Sequence, residues 1–110
     1  MSGFTDVAAK TVNQWLADGE AVVIDVREAE ELIQARLADA VHVPLSAFNP
    51  DLVPTDTGKK VVFLCAIGQR SAQAGTYMVD QGLLDEAFNL AGGIQAWAAA
   101  GLPYDSGPAG

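Results

Sequence analysis

Residues 61–75 read VVFLCAIGQRSAQAG. An apolar run ends at Cys65, the only cysteine in the chain. Gly68, Arg70 and Ser71 follow, and Ser71 opens a helix-forming stretch. A chain that leaves a buried strand and enters a helix at once has to turn sharply, and glycine supplies backbone conformations closed to other residues. The successive amide N–H groups of such a turn converge into a concave nest for anions. The helix aims its unpaired N–H groups and its dipole at the same point. Cysteines at helix N-termini beside a cation fall to pKa values of ~3.5–7.5. The stretch therefore predicts strand, loop and helix, with Cys65 a thiolate nucleophile held beside an anion cradle.

Outward from this stretch, strands alternate with helices. Residues 7–18 carry apolar side chains at helical spacing, and Gly19 stops them. Residues 21–26, AVVIDV, form a β-branched run of the kind buried on both faces of a parallel sheet. Residues 28–38 are rich in helix formers, and residues 40–44, AVHVP, read as a short strand. Two prolines and many turn formers make residues 45–58 a connecting loop with room for one helical turn. Residues 60–65 are a second buried strand, 71–82 a helix, 86–91 a strand and 92–101 a glycine-led helix. Alternation of this kind implies βαβ units and a parallel sheet covered on both faces. Ligands of such sheets bind at the C-terminal ends of the strands. Asp25, Arg27 and Cys65 should gather there.

Composition excludes several function classes. The 110 residues suffice for one domain with a real core and no disulfide staples. Six basic and fourteen acidic residues give a net charge of −8, which argues against nucleic acid and against anionic membrane surfaces. No run approaches the ~18 apolar residues of a membrane span. Residues 1–10 lack the basic flank and apolar stretch of a secretory signal. A cytoplasmic protein is expected. One cysteine and one histidine, His42, cannot supply the four ligands of a structural zinc, so neither a metal nor a cofactor is expected.

The pattern C-x-x-G-x-R-S after a buried strand resembles the active-site loop of single-domain rhodanese-like sulfurtransferases. Residues 23–28, VIDVRE, are similar to that family's D-V-R element, and residues 90–103, LAGGIQAWAAAGLP, to its closing G-G-x-x-x-W…G-L-P segment. The resemblance implies a three-layer α/β/α domain over residues 1–104 with a central, mainly parallel sheet of about five strands. Residues 105–110 would be a mobile tail. It also implies ping-pong sulfur transfer through a Cys65 persulfide. Sulfur would come from thiosulfate or a persulfide and pass to cyanide, a thiol or a protein acceptor. In this reading the amides of Ala66, Ile67, Gly68, Gln69 and Arg70 bind substrate and Arg70 is the charged anchor. Asp25, Arg27 and Ser71 support the loop. The chain departs from the family at residues 35–40, where ARLADA replaces the usual G-H-I-P-G-A, read here as an altered structural turn. Ala66, Ile67 and Gln69 carry no charge, which with the net charge of −8 makes a persulfide a reasonable donor beside thiosulfate.

Rival readings follow from the same residues. Cysteine phosphatases place five residues between cysteine and arginine, whereas four stand between Cys65 and Arg70. A tighter loop suits sulfur better than phosphate. Without a second cysteine, sulfur on Cys65 has to leave to another molecule, which favours a protein-to-protein relay. A partner-binding module without chemistry would be expected to have lost the cysteine. His42 reads as structural, Trp15 and Trp97 as core, and Gly92 with Gly93 as a tight strand-to-helix turn. Asp25 and Arg27 read equally well as an internal ion pair. Glu28, Glu30 and Glu31 read as a solvated first helical turn.

Overall fold

The computed structural model describes residues 3–107. Five parallel strands lie in the order β1-β5-β4-β2-β3. They are β1 (Phe4–Val7), β2 (Ala21–Asp25), β3 (Val41–His42), β4 (Lys60–Leu64) and β5 (Ala87–Leu90). Helices α1 (Ala9–Ala17), α2 (Ala29–Gln34), α3 (Gln69–Asp80) and α4 (Gly93–Ala99) connect them or close the chain.

The central strands are apolar on both sides because both sides are covered. From β4, Val62 and Leu64 join Val12 of α1 and Ile94 and Trp97 of α4 in one core layer. Val61, Phe63 and Cys65 face the other way, with Ala74 and Met78 of α3. The result is a three-layer α/β/α domain. Trp97 is a core residue, buried with its Nε1 donating to Pro103 O, whereas Trp15 is half-buried and packs against the core edge-on to Phe88 at 5.0 Å.

Strand order decides where a ligand can sit. After β2 the chain moves outward to β3, and after β4 it moves the other way to β5. The loops leaving β2 and β4 therefore diverge, opening a crevice at the C-terminal ends of two neighbouring strands. Val26 N donates to Leu64 O across its floor at 2.9 Å.

Three sequence expectations need correction. Strand β1 was not anticipated. Its residues FTDV show no apolar run, because as an edge strand its two central residues are exposed. The helix expected over 28–38 stops at Gln34, and Ala35 is fully extended. Helix propensity loses here to tertiary contacts. Arg27 captures Ala35 O, Arg36 pairs with Asp105 in an antiparallel bridge, and Leu37 is buried. The loop at 45–58 holds two single 3-10 turns, Leu45–Ala47 and Pro50–Leu52.

Within the segment expected to be a tail, Asp105 bonds Arg36 through both backbone groups, and Gly107 N donates to Ile33 O at 2.6 Å. The expectation for residues 108–110 lies outside the described residues. None of the described helices is long and apolar enough to cross a membrane.

Candidate active site

Strand β4 ends at Leu64 and delivers Cys65 to the crevice floor, where the residue is 1 % exposed. The next turn is made by Gly68 at φ +106°, a left-handed conformation that favours glycine. That turn folds the loop back, so that Gly68 N donates to Cys65 Sγ at 3.0 Å. Helix α3 starts at Gln69, two residues earlier than its sequence suggests, and brings Ser71 Oγ to 3.3 Å from the sulfur. Ile67 stands 51 % exposed on the lip. Among the residues expected here, Cys65, Gly68 and Ser71 are thus brought together.

This geometry favours the charged form of the sulfur. Burial opposes ionisation of Cys65. It is outweighed by the Ser71 hydroxyl and by the backbone N–H groups of Ser71, Gly68 and Ile67, and the thiol titrates below its ordinary value of 9.0. A group whose folded pKa is depressed favours the folded state above its unfolded pKa. That contribution is lost as pH falls through the folded value. Ser71→Ala removes the side-chain donor. It should raise the midpoint of the pH–rate profile for iodoacetamide alkylation of Cys65 and slow alkylation at pH 7 about tenfold, the loss of one hydrogen bond to an ionised group. An unmoved profile would show that Ser71 does not support the thiolate.

Asn89 is a site residue that the sequence reading passed over. It is buried in β5, and its Oδ1 lies 2.5 Å from Ser71 Oγ. Its Nδ2 donates to Gly68 O at 3.1 Å and to Asp6 Oδ1 at 3.0 Å. Ser71 has one hydroxyl hydrogen and two acceptors within reach. Against a thiolate it donates to sulfur. Against a thiol it accepts from S–H and donates to Asn89. The signal was a polar residue inside the otherwise apolar strand AFNL.

Arg70 is paired across the crevice. Arg70 does not stand free as an anchor. Its Nη1 and Nη2 donate to the two carboxylate oxygens of Glu31 at 2.7 and 2.8 Å, bridging the crevice from α3 to α2. That pair holds Glu31 at a pKa of about 2, and it raises Arg70 further above its already high value. Glu31 is therefore more than a solvated carboxylate. It also accepts from Glu28 N in a capping box that starts α2.

Asp25 and Arg27 form a buried pair, Arg27 Nη2 lying 2.8 Å from Asp25 Oδ2. Arg27 also donates to Ala35 O at 2.6 Å and Glu31 O at 3.4 Å, so it ties β2 to α2 and reaches the cradle only through Glu31. His42 Nε2 bonds Arg27 O at 2.7 Å and is structural.

Gly92 and Gly93 do more than make a turn. Ile94 N donates to Cys65 O at 2.9 Å and Gln95 N to Ala66 O at 3.2 Å, so the start of α4 ties down the first half of the cysteine loop. Gly93 has φ +63°, and a Cβ there would overlap the carbonyl oxygens of Cys65 and Ala66. Gly93→Ala should cost about 3 kcal/mol, roughly 15 °C in Tm, through strain and overpacking. A thermal melt checks this, and an unshifted Tm would contradict the tight approach. Among the described residues no group of three or more His, Cys, Asp or Glu side chains could hold a metal ion.

The sequence pattern of the rhodanese-like domain family matches residues 8–100. The chain belongs to that family. It is 35 % identical over 99 residues to a sulfurtransferase of Allochromatium vinosum, covering 89 % of this chain and 92 % of that one. An uncharacterized protein of Synechocystis is 35 % identical over 97 residues, 88 % of this chain. The match spans 54 % of that relative's length. The crystal structure of a rhodanese-related protein from Thermoplasma volcanium superposes with a TM-score of 0.80 at 30 % identity, covering 92 % of this chain and 97 % of that one. The rhodanese-like α/β fold expected from the sequence is thereby shown, and the relatives support a sulfurtransferase family.

Proposed function

We propose that the protein is a rhodanese-type sulfurtransferase that carries sulfane sulfur on Cys65. The observation that carries this reading is the sulfur itself, recessed at the switch point of the sheet with Gly68 N and Ser71 Oγ aimed at it. The Cys65 thiolate attacks the outer sulfur of thiosulfate or of a persulfide R–S–S⁻. The donor's S–S bond breaks, its electron pair leaves with sulfite or with R–S⁻, and Cys65 becomes a persulfide. An acceptor thiolate or cyanide then attacks the outer sulfur, and the pair of the second S–S bond returns to Cys65. Electrons balance without an external oxidant. The loop amides stabilise the anionic persulfide, in the manner of the Ile67, Gly68 and Ser71 N–H groups that face the thiolate.

A protein-to-protein relay uses the same chemistry. It is favoured by the single cysteine, since no second thiol of the chain can take the sulfur. Phosphatase chemistry fits less well, because four residues rather than five separate Cys65 from Arg70.

The test is steady-state transfer to cyanide, read as thiocyanate, with thiosulfate and with cysteine persulfide varied in turn. Parallel double-reciprocal lines are expected with at least one donor, the mark of a covalent intermediate. Intersecting lines, or hydrolysis of p-nitrophenyl phosphate without thiocyanate, would overturn the reading.

A further inference from the structure

We propose that Glu31 sets the donor class of this site. By holding the charge of Arg70, it makes the cradle a site for an organic persulfide rather than for a free dianion such as thiosulfate. The inference rests on the sulfurtransferase reading and concerns its specificity.

Arg70 is the only basic residue of the cysteine loop, and both of its terminal nitrogens are taken by one carboxylate. A bidentate pair of this kind is among the stronger charge-assisted contacts. With Glu31 titrating at about 2, it stays ionised across the physiological range. The other guanidinium at this edge, Arg27, is buried against Asp25.

Among the remaining basic residues, Lys59 and Lys60 stand at the opposite end of β4. Lys10 follows β1, two strand positions from β4. Arg36 donates to Leu32 O and Gly107 O. The cradle is thus left with backbone N–H groups, one hydroxyl and a guanidinium whose charge is already balanced, in a chain of net charge −8.

These groups suit one negative charge better than two. Attack on thiosulfate brings a thiolate against a dianion and expels sulfite, itself a dianion. Attack on R–S–S⁻ brings the thiolate against a monoanion and expels R–S⁻. The exposed Ile67 on the lip offers an apolar surface to the R group. The shared chemistry is a persulfide on a thiol, whether small or borne by a polypeptide.

Glu31→Gln isolates the charge. Glutamine serves at the same capping-box position, so α2 keeps its start. It can also still accept from Arg70. Loading of Cys65 is followed by intact mass with thiosulfate, with cysteine persulfide and with a persulfidated peptide whose cysteine is flanked by lysines. The unaltered protein should load faster from cysteine persulfide than from thiosulfate. Glu31→Gln should move the rate ratio toward thiosulfate by about tenfold, the scale on which an unbalanced charge focuses an anion in a cleft. The shift should shrink with added salt, and adding Arg70→Ala to Glu31→Gln should return the ratio to that of the unaltered protein, because the pair is then removed whole.

Faster loading from the peptide than from cysteine persulfide assigns the donor to a polypeptide, and the reverse assigns it to a small thiol. An unmoved ratio in Glu31→Gln, or a double variant that keeps the full shift relative to the unaltered protein, overturns the proposal. If no donor adds sulfur, the sulfurtransferase reading fails by itself. Sulfate protection of Cys65 against iodoacetamide then still decides the role of Glu31. Protection of Glu31→Gln should need about tenfold less sulfate, and equal protection would overturn the proposal.

Discussion

Cys65→Ser should leave the fold intact and lower sulfur transfer at least about a thousandfold, as removal of a reacting nucleophile does. The hydroxyl that replaces the thiol is smaller by one row of the periodic table and ionises far above neutral pH. Gly68 N and the Ser71 hydroxyl lie 3.0 and 3.3 Å from sulfur, and both can donate to a serine oxygen after a small shift. The change in stability should therefore stay within about 1 kcal/mol. Thiocyanate production and a denaturant melt, measured on the same sample, separate the two effects. Residual transfer above a tenth of the original rate would mean that Cys65 does not carry the sulfur.

Arg27→Ala should be the most damaging change to stability, at about 4 kcal/mol or roughly 20 °C in Tm. Asp25 is fully buried, and Arg27 supplies three of its hydrogen bonds through Nε and Nη2. Alanine leaves that carboxylate in the interior with only the backbone donor of residue 27. It also frees Ala35 O and unties α2 from β2. Replacing both partners at once, Asp25→Leu with Arg27→Met, should recover part of the loss, because the desolvation of two charges disappears with them. Chemical denaturation of the three proteins reads this out. If Arg27→Ala lost sulfur transfer while keeping its melting midpoint, the pair would belong to the chemistry and not to the scaffold.

What could be read in the sequence divides along physical lines. The central strands were legible because burial on both faces gives them continuous apolar runs, as at residues 21–24 and 61–64. The cysteine turn was legible because Gly68 interrupts strand and helix in a way few other structures require. Strand β1 was not, since an edge strand with exposed Thr5 and Asp6 carries no hydrophobic pattern.

The break after Gln34 was hidden as well. Ala35, Arg36 and Leu37 are good helix formers, held extended by partners as remote as Asp105. The same limit applies to the site. Cys65, Gly68 and Ser71 are close in sequence, so their meeting could be inferred from local structure. The Glu31–Arg70 pair spans 39 positions and the Ser71–Asn89 contact 18, and each depends on which strands are neighbours. Glu31 looked like one of several surface carboxylates. Only the crevice between the ends of β2 and β4 makes it the partner of the loop arginine.

Sulfur transfer by this protein is proposed to run through a persulfide on Cys65. Intact mass, measured after incubation with thiosulfate and separately with cysteine persulfide, tests it most directly. The unaltered protein should gain one sulfur atom from at least one donor, lose it on addition of cyanide, and show no gain as Cys65→Ser. No adduct from either donor, or an adduct that persists in Cys65→Ser, would mean that Cys65 does not carry the sulfur.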